Sequence, residues 1–369
     1  MLLKNRLKSV LRFNKTVSHK NTKVLSNTRI NMSEFSETEP QVYVTTAAKE
    51  KRKKINSYLI HIGLFIVTFI TTTLAGVEWT TGQLPPYEFS MLAKGLPYSL
   101  SILLIITLHE FGHYFAARYH RIRSTLPYYI PFPPIPYFIN FGTMGAVIKT
   151  KSPIYSKKAM FDVGIAGPLS GFVICLAILI YGFTHVPSIE YLLNIHPDYF
   201  SADYGKDGLQ LVFGDTLLFS LLRLLFVDSN TFFPPMSEIY HYPYLVAGWF
   251  GLLVTAMNMI PVGQLDGGHI SFAMFGEKNH FKISSIALIA LLILGFAGLI
   301  DSFLELNIGI GWSGWLFWAF ILYFIVKLKH PPVADALPID KKRMYLGYLS
   351  YFIFILSFSP APIMLNMIA

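Results

Sequence analysis

Long apolar runs separated by short polar and basic stretches dominate the chain, and their lengths decide the first structural expectation. Runs able to cross about 30 Å of hydrocarbon occur at Tyr58 to Val77, Leu96 to Arg118, Phe161 to Phe183, Tyr244 to Ile260, Ile283 to Ile300, Ile310 to Leu328 and Tyr345 to Leu365. The pattern predicts an all-α polytopic membrane protein with about seven transmembrane helices. Leu217 to Val227 is shorter and reads as an interfacial or re-entrant helix. Between the second and third runs, Pro127, Pro131, Pro133, Pro134 and Pro136 exclude a continuous helix, and Gly142 to Thr150 has strand-like composition. A small extended or β segment is therefore expected at the cytoplasmic membrane edge.

Composition supports the reading. The 369 residues are 53% hydrophobic and only 14% charged, too apolar for an ordinary soluble domain. The net charge of +9 does not point to nucleic acid, because the basic residues collect at the ends of apolar runs rather than among aromatics on one polar face. Lys51-Arg52-Lys53-Lys54, Arg118, Arg121, Arg123, Lys151, Lys157, Lys158 and Lys341-Lys342-Arg343 all mark cytoplasmic ends under the positive-inside rule. The segment from Thr184 to Pro243 is mainly acidic, carrying Asp203 and Asp207 among others, and reads as an outward loop. Seven alternating crossings satisfy these assignments. The single Cys175 can form no intramolecular disulfide. Residues 1–54 read as a basic, disordered N-terminal segment preceding a membrane domain over 55–369. An organellar transit peptide or a true start at Met32 would each account for its first part. No phosphate-cradling glycine loop suggests a nucleotide.

Within the second apolar run stands His109-Glu110-Phe111-Gly112-His113. On a helix, histidines four residues apart project from one face and can share a small cation. Ionisable groups at bilayer depth are costly, and this trio has no obvious partner on its own helix. A zinc ion would supply one: it takes imidazole nitrogen at about 2.0–2.1 Å and in catalytic sites adds a third protein ligand. Glu110 would then serve as general base toward water. The third ligand should come from another run at the same depth, and the best candidate is Asp266 in Asn258-Met259-Ile260-Pro261-Val262-Gly263-Gln264-Leu265-Asp266-Gly267-Gly268. Pro261 interrupts a helix there, while Gly267 and Gly268 allow close backbone approach. His269 is a weaker candidate for a fourth ligand or a proton shuttle. The remaining histidines lie near run ends or in loops, where solvated or interfacial roles suffice.

His-Glu-Phe-Gly-His paired with Asn-x-x-Pro-x-x-x-Leu-Asp-Gly resembles the site-2 protease family of intramembrane zinc metalloproteases. The resemblance covers about Leu96 to Ile270, including Gly164-Ile165-Ala166-Gly167-Pro168. It implies peptide-bond hydrolysis in or beside the bilayer, one zinc held by His109, His113 and Asp266, Glu110 as base, and Asn258 contacting substrate or supporting the transition state. Pro261 and Gly267 belong to the same supporting motif. The implied partners are a transmembrane protein substrate and the lipid bilayer, and the implied host is a bacterial cytoplasmic membrane or an organellar one, with the site near the cytoplasmic side. Many bacterial members carry a PDZ domain between the motif halves. No PDZ pattern is visible in 184–243, so the chain is more similar to members lacking that domain. A membrane metal-ion transporter using the His/Asp site as a binding station is the competing class; a lone site without a polar path to the other face disfavours it.

Overall fold

The computed structural model describes residues 39–133, 135, 139–201, 204, 209–304, 306, 308–335 and 337–367. Residues 1–38 of the basic N-terminal segment, Pro134 and Pro136 of the proline-rich stretch, and Asp203 and Asp207 of the acidic loop lie outside them. The chain divides into units Met1–Tyr58 and Leu59–Ala369, and the packing below concerns the second.

Helix α1 (Glu39–Thr81) extends back into the segment expected to lack structure. Its Ile55–Thr81 part, Phe89–Tyr119 containing α2 (Leu92–Tyr119), α3 (Lys157–Thr184) and α7 (Asp266–Leu304) are the four described helices long and apolar enough to cross a membrane. Exposed Ile286, Ile289, Ile293, Phe296 and Ile300 line one face of α7 at helical spacing. Such a stripe suits lipid better than water. The remaining expected crossings are built differently. Tyr244 to Ile260 is α6 (Pro243–Met259), at 17 residues a short apolar helix. Ile310 to Leu328 comprises α8 (Gly314–Ile321) and a π-helical turn over Leu322–Val326. Tyr345 to Leu365 is not one helix: α9 (Lys341–Ser357) stops before Pro360 and Pro362, and the chain continues as a strand. Prolines cannot donate to a helix and clash with its preceding turn.

Two antiparallel sheets of two strands complete the unit. In the first, β1 (Tyr128–Pro131) pairs with β2 (Thr143–Val147) with Tyr129 opposite Ala146 and a register shift before Pro131. The extended segment expected from the prolines is thus a hairpin. The second, unforeseen in the sequence, joins β3 (Leu209–Phe213) to β4 (Ile363–Met367) across 150 residues of chain, with Phe213 opposite Ile363. Within the loop between α3 and α6 also lie α4 (Ile189–Ile195) and α5 (Leu217–Phe226). The latter buries Leu218, Phe219 and Leu222 and exposes Leu217, Leu221, Leu224 and Leu225, the two-sided character expected of an interfacial helix.

The core centres on α3, which packs against α2, α6 and α7. Tyr98, Ile102 and Ile105 of α2, Leu179 of α3, and Leu245, Trp249 and Phe250 of α6 form its largest apolar cluster. Glycines permit the close approach of α2 and α3. A Cβ at Gly112 would overlap the Ala166 carbonyl, and Gly164, Gly167 and Gly171 give α3 a small-residue face toward the site. At the same end, Asp162 of α3 pairs with His120 after α2 and with Arg343 of α9.

Candidate metal centre

His109, Glu110 and His113 are buried on the last two turns but one of α2. Their helix packs on α3 and α6, and the one-face geometry expected from the spacing is realised: the two Nε2 atoms lie 3.1 Å apart. Asp266 arrives from the other half of the chain. Pro261 ends α6, a tight turn follows through Val262 and Leu265, and α7 begins at Asp266. Gly267 and Gly268 allow this fold-back, since a Cβ on either would overlap a carbonyl oxygen of Met259 or Gly263. The Leu-Asp-Gly-Gly stretch therefore opens a helix instead of closing one. A carboxylate at that position meets the positive end of the helix dipole.

Asp266 Oδ2 stands 3.4 Å from His109 Nε2 and 3.3 Å from His113 Nε2. Ligands held about 2.0–2.1 Å from a tetrahedral centre are roughly 3.3–3.4 Å from one another, so the three observed separations fit a zinc-sized ion. The donor chemistry fits as well. His113 Nδ1–H donates to the Val163 carbonyl at 2.7 Å, which leaves Nε2 with its lone pair directed at the trio. Two neutral imidazoles and one carboxylate make a donor set suited to zinc.

Glu110 has a carboxylate oxygen within 4.8 Å of the imidazole donors, close enough to share a water with whatever they bind. Its Oε2 accepts a hydrogen bond from the Ile148 N–H at 2.8 Å, just beyond β2. A cavity of about 1040 Å³ opens over the group, walled by Ile102, Ile105, Ile106, Leu253 and Phe317, with Thr143 to Ile148 along one side. Asn258 lines it too. Pro261 and Gly267 act from behind: the Pro261 carbonyl accepts from Ser284 Oγ at 2.9 Å and that of Gly267 from the Tyr351 hydroxyl at 3.0 Å.

The sequence reading included Gly167 in the Gly164 to Pro168 stretch but gave neither it nor Gly171 a part in the site. Gly167 and Gly171 leave room for the rings of His113 and His109; their spacing with Gly164 was the signal available. His269 does not join the trio but meets His330, with Nδ1 and Nε2 2.7 Å apart. His61, His241, His280 and His330 are all buried rather than solvated or interfacial. Tertiary packing, which local sequence does not reveal, covers them.

The model of peptidase family M50 matches residues 97–300, a stretch that contains both halves of the site. Among curated proteins the chain is 28% identical over 273 residues to "Probable zinc metalloprotease EGY2, chloroplastic" of Oryza sativa subsp. indica, covering 73% of this chain and 44% of that one. The Arabidopsis thaliana protein of the same name is 27% identical over 277 residues, covering 74% and 43%. "Probable zinc metalloprotease EGY1, chloroplastic" of Oryza sativa subsp. japonica is 30% identical over 261 residues, covering 64% and 42%. The chain thus spans less than half the length of these relatives. No solved structure matches it.

Proposed function

The chain belongs to peptidase family M50, and from that premise we propose that it is a zinc endopeptidase hydrolysing peptide bonds in or next to the transmembrane segments of membrane proteins, a step of regulated intramembrane proteolysis. The observation carrying this reading is the meeting of His109, His113 and Asp266 within 3.4 Å beside Glu110 at the cavity floor. His109, His113 and Asp266 would hold the zinc, one per chain at this site. When bound, zinc supplies Lewis acidity that lowers the pKa of water to about 7 and polarises a carbonyl.

Glu110 takes the proton of the attacking water and delivers it to the departing amine as the C–N bond breaks, leaving a carboxylate and an amine. Its hydrogen bond from Ile148 fixes the carboxylate direction. The hairpin strand bordering the cavity offers main-chain groups to an extended segment, which addresses a physical difficulty: peptide bonds of a helical substrate are hidden in internal hydrogen bonds, and cutting requires local unwinding. Asn258, which lines the cavity, would contact that segment, while Pro261 and Gly267 would support the turn that presents Asp266.

The arrangement of basic run ends supports seven alternating crossings with the site toward the cytoplasm, and the proposed host is a bacterial cytoplasmic membrane. The printed names of the relatives make an organellar membrane the other host to test.

Purified unsubstituted and Glu110→Gln proteins, compared on a single-span model substrate with metal analysis, test the mechanism. Glu110→Gln lowers cleavage by about 10²–10⁴-fold and leaves zinc content unchanged. Retained cleavage overturns the base assignment, and zinc uptake into sealed vesicles without any cleavage favours the transporter.

A further inference from the structure

A second group of metal-ligating side chains lies at the opposite end of α6 from Asp266. His196 follows α4, and Glu238 and His241 flank the turn that leads into α6. Along a helix of 17 residues the two groups are separated by roughly 26 Å.

His196 Nε2 and His241 Nε2 are 2.9 Å apart, and Glu238 Oε2 lies 3.9 Å from the first and 3.7 Å from the second. These spacings bracket the roughly 3.3–3.4 Å expected around a tetrahedral ion with bonds of about 2.0–2.1 Å. The side chain of His241 is fully buried and that of Glu238 is 3% exposed. Buried Glu238 Oε2 has no hydrogen-bond partner among the described residues, although such an atom ordinarily has one. Its other oxygen accepts from the Tyr204 hydroxyl at 3.3 Å, as a carboxylate turned toward a metal often does. The Tyr191 hydroxyl donates to the His241 carbonyl at 2.7 Å and steadies the turn.

A purely hydrogen-bonded cluster explains less. One N–H shared between the rings accounts for the two Nε2 atoms, yet nothing then meets the Glu238 carboxylate oxygen, and His241 Nδ1 also lacks a partner among the described residues. A divalent cation accepts both neutral rings and the carboxylate at once.

We propose that His196, His241 and Glu238 form a second, structural binding site for a zinc-class divalent cation, pinning the loop between α3 and α6 to the start of α6. The three ligands come from positions up to 45 residues apart, so binding closes a long loop at one point. The site has no part in hydrolysis.

Its test uses the full chain in detergent and reads metal directly. Cobalt is titrated into protein carrying His109→Ala and His113→Ala, where visible absorption reports a low-coordinate site. One equivalent binds, and the absorption disappears when His196→Ala is added. In otherwise unsubstituted protein, His196→Ala removes one equivalent of zinc from whatever total is present. His196 sits at the surface edge of the cluster, and His196→Gln serves as a second variant with closer size, expected to lose the same equivalent; thermal melting verifies that each protein is folded. Cobalt failing to bind the doubly substituted protein, or zinc stoichiometry unmoved by both His196 variants, overturns the proposal. Because the site is read by its own ligands, failure of the catalytic-zinc assignment would show separately, as a total unaffected by His109→Ala and His113→Ala.

Discussion

His113 shows how much of a site depends on atoms that carry no charge. Its Nδ1 is held by the Val163 carbonyl, and its ring occupies space that exists only because residue 167 is glycine. Gly167→Ala should therefore expel the ring while leaving α3 helical, since alanine is the better helix former. Zinc affinity is expected to fall by about 10–100-fold, the usual cost of disturbing a ligand's support, as measured by competition with a chromogenic chelator. Unchanged affinity would mean that the ring does not sit where a ligand must. Asp266→Asn exchanges the carboxylate for a poorer ligand; it should weaken zinc retention along with cleavage, and normal retention would point to another third ligand. His109, Glu110 and His113 stood out in the sequence because ionisable groups inside an apolar run demand a partner, and Asp266 because a third ligand was needed from the end of another run. The Val163 carbonyl and the room made by Gly167 did not, for a main-chain acceptor looks the same at every residue and a glycine's neighbour belongs to another helix.

Among the elements, the hairpin reaches the proposed base from outside the helices that carry the site. The proline-rich stretch and the small, β-branched residues after it made an extended segment legible, but its contact with the base through the Ile148 amide depends on tertiary placement. Ile148→Pro deletes that N–H. Hydrogen bonds to charged groups are worth about 1.5–3 kcal/mol, so cleavage should drop by roughly one to two orders of magnitude with zinc content unaltered. An equal rate would remove the strand from the mechanism. Helices α2, α3 and the apolar part of α1 were plain from apolar length alone, whereas the start of α1 at Glu39 fell in the segment expected to lack structure. The β3–β4 sheet was not, since its strands lie on either side of 150 residues of chain and no local pattern couples them. The stop of α9 was foreshadowed by Pro360 and Pro362, whose breaking effect an apolar count ignores.

At the scale of the molecule, α6 separates two ends with different chemistry: His109, His113 and Asp266 beside the cavity, and His196, Glu238 and His241 within the loop between α3 and α6. If seven crossings are correct, these ends face opposite sides of the membrane. Arg123→Cys, after α2, and Asn230→Cys, before α6, are exposed positions at the two ends, and the native Cys175 is buried. A membrane-impermeant maleimide added outside intact cells should label residue 230 and spare residue 123. Labelling of both or the reverse pattern would refute the topology. The central claim, that three side chains from two helices gather one zinc ion, is tested most directly by anomalous diffraction at the zinc edge from crystals of the full chain. A peak about 2.0–2.1 Å from His109 Nε2, His113 Nε2 and an Asp266 carboxylate oxygen is the predicted result; crystals grown with zinc that show no density among those three atoms would contradict it.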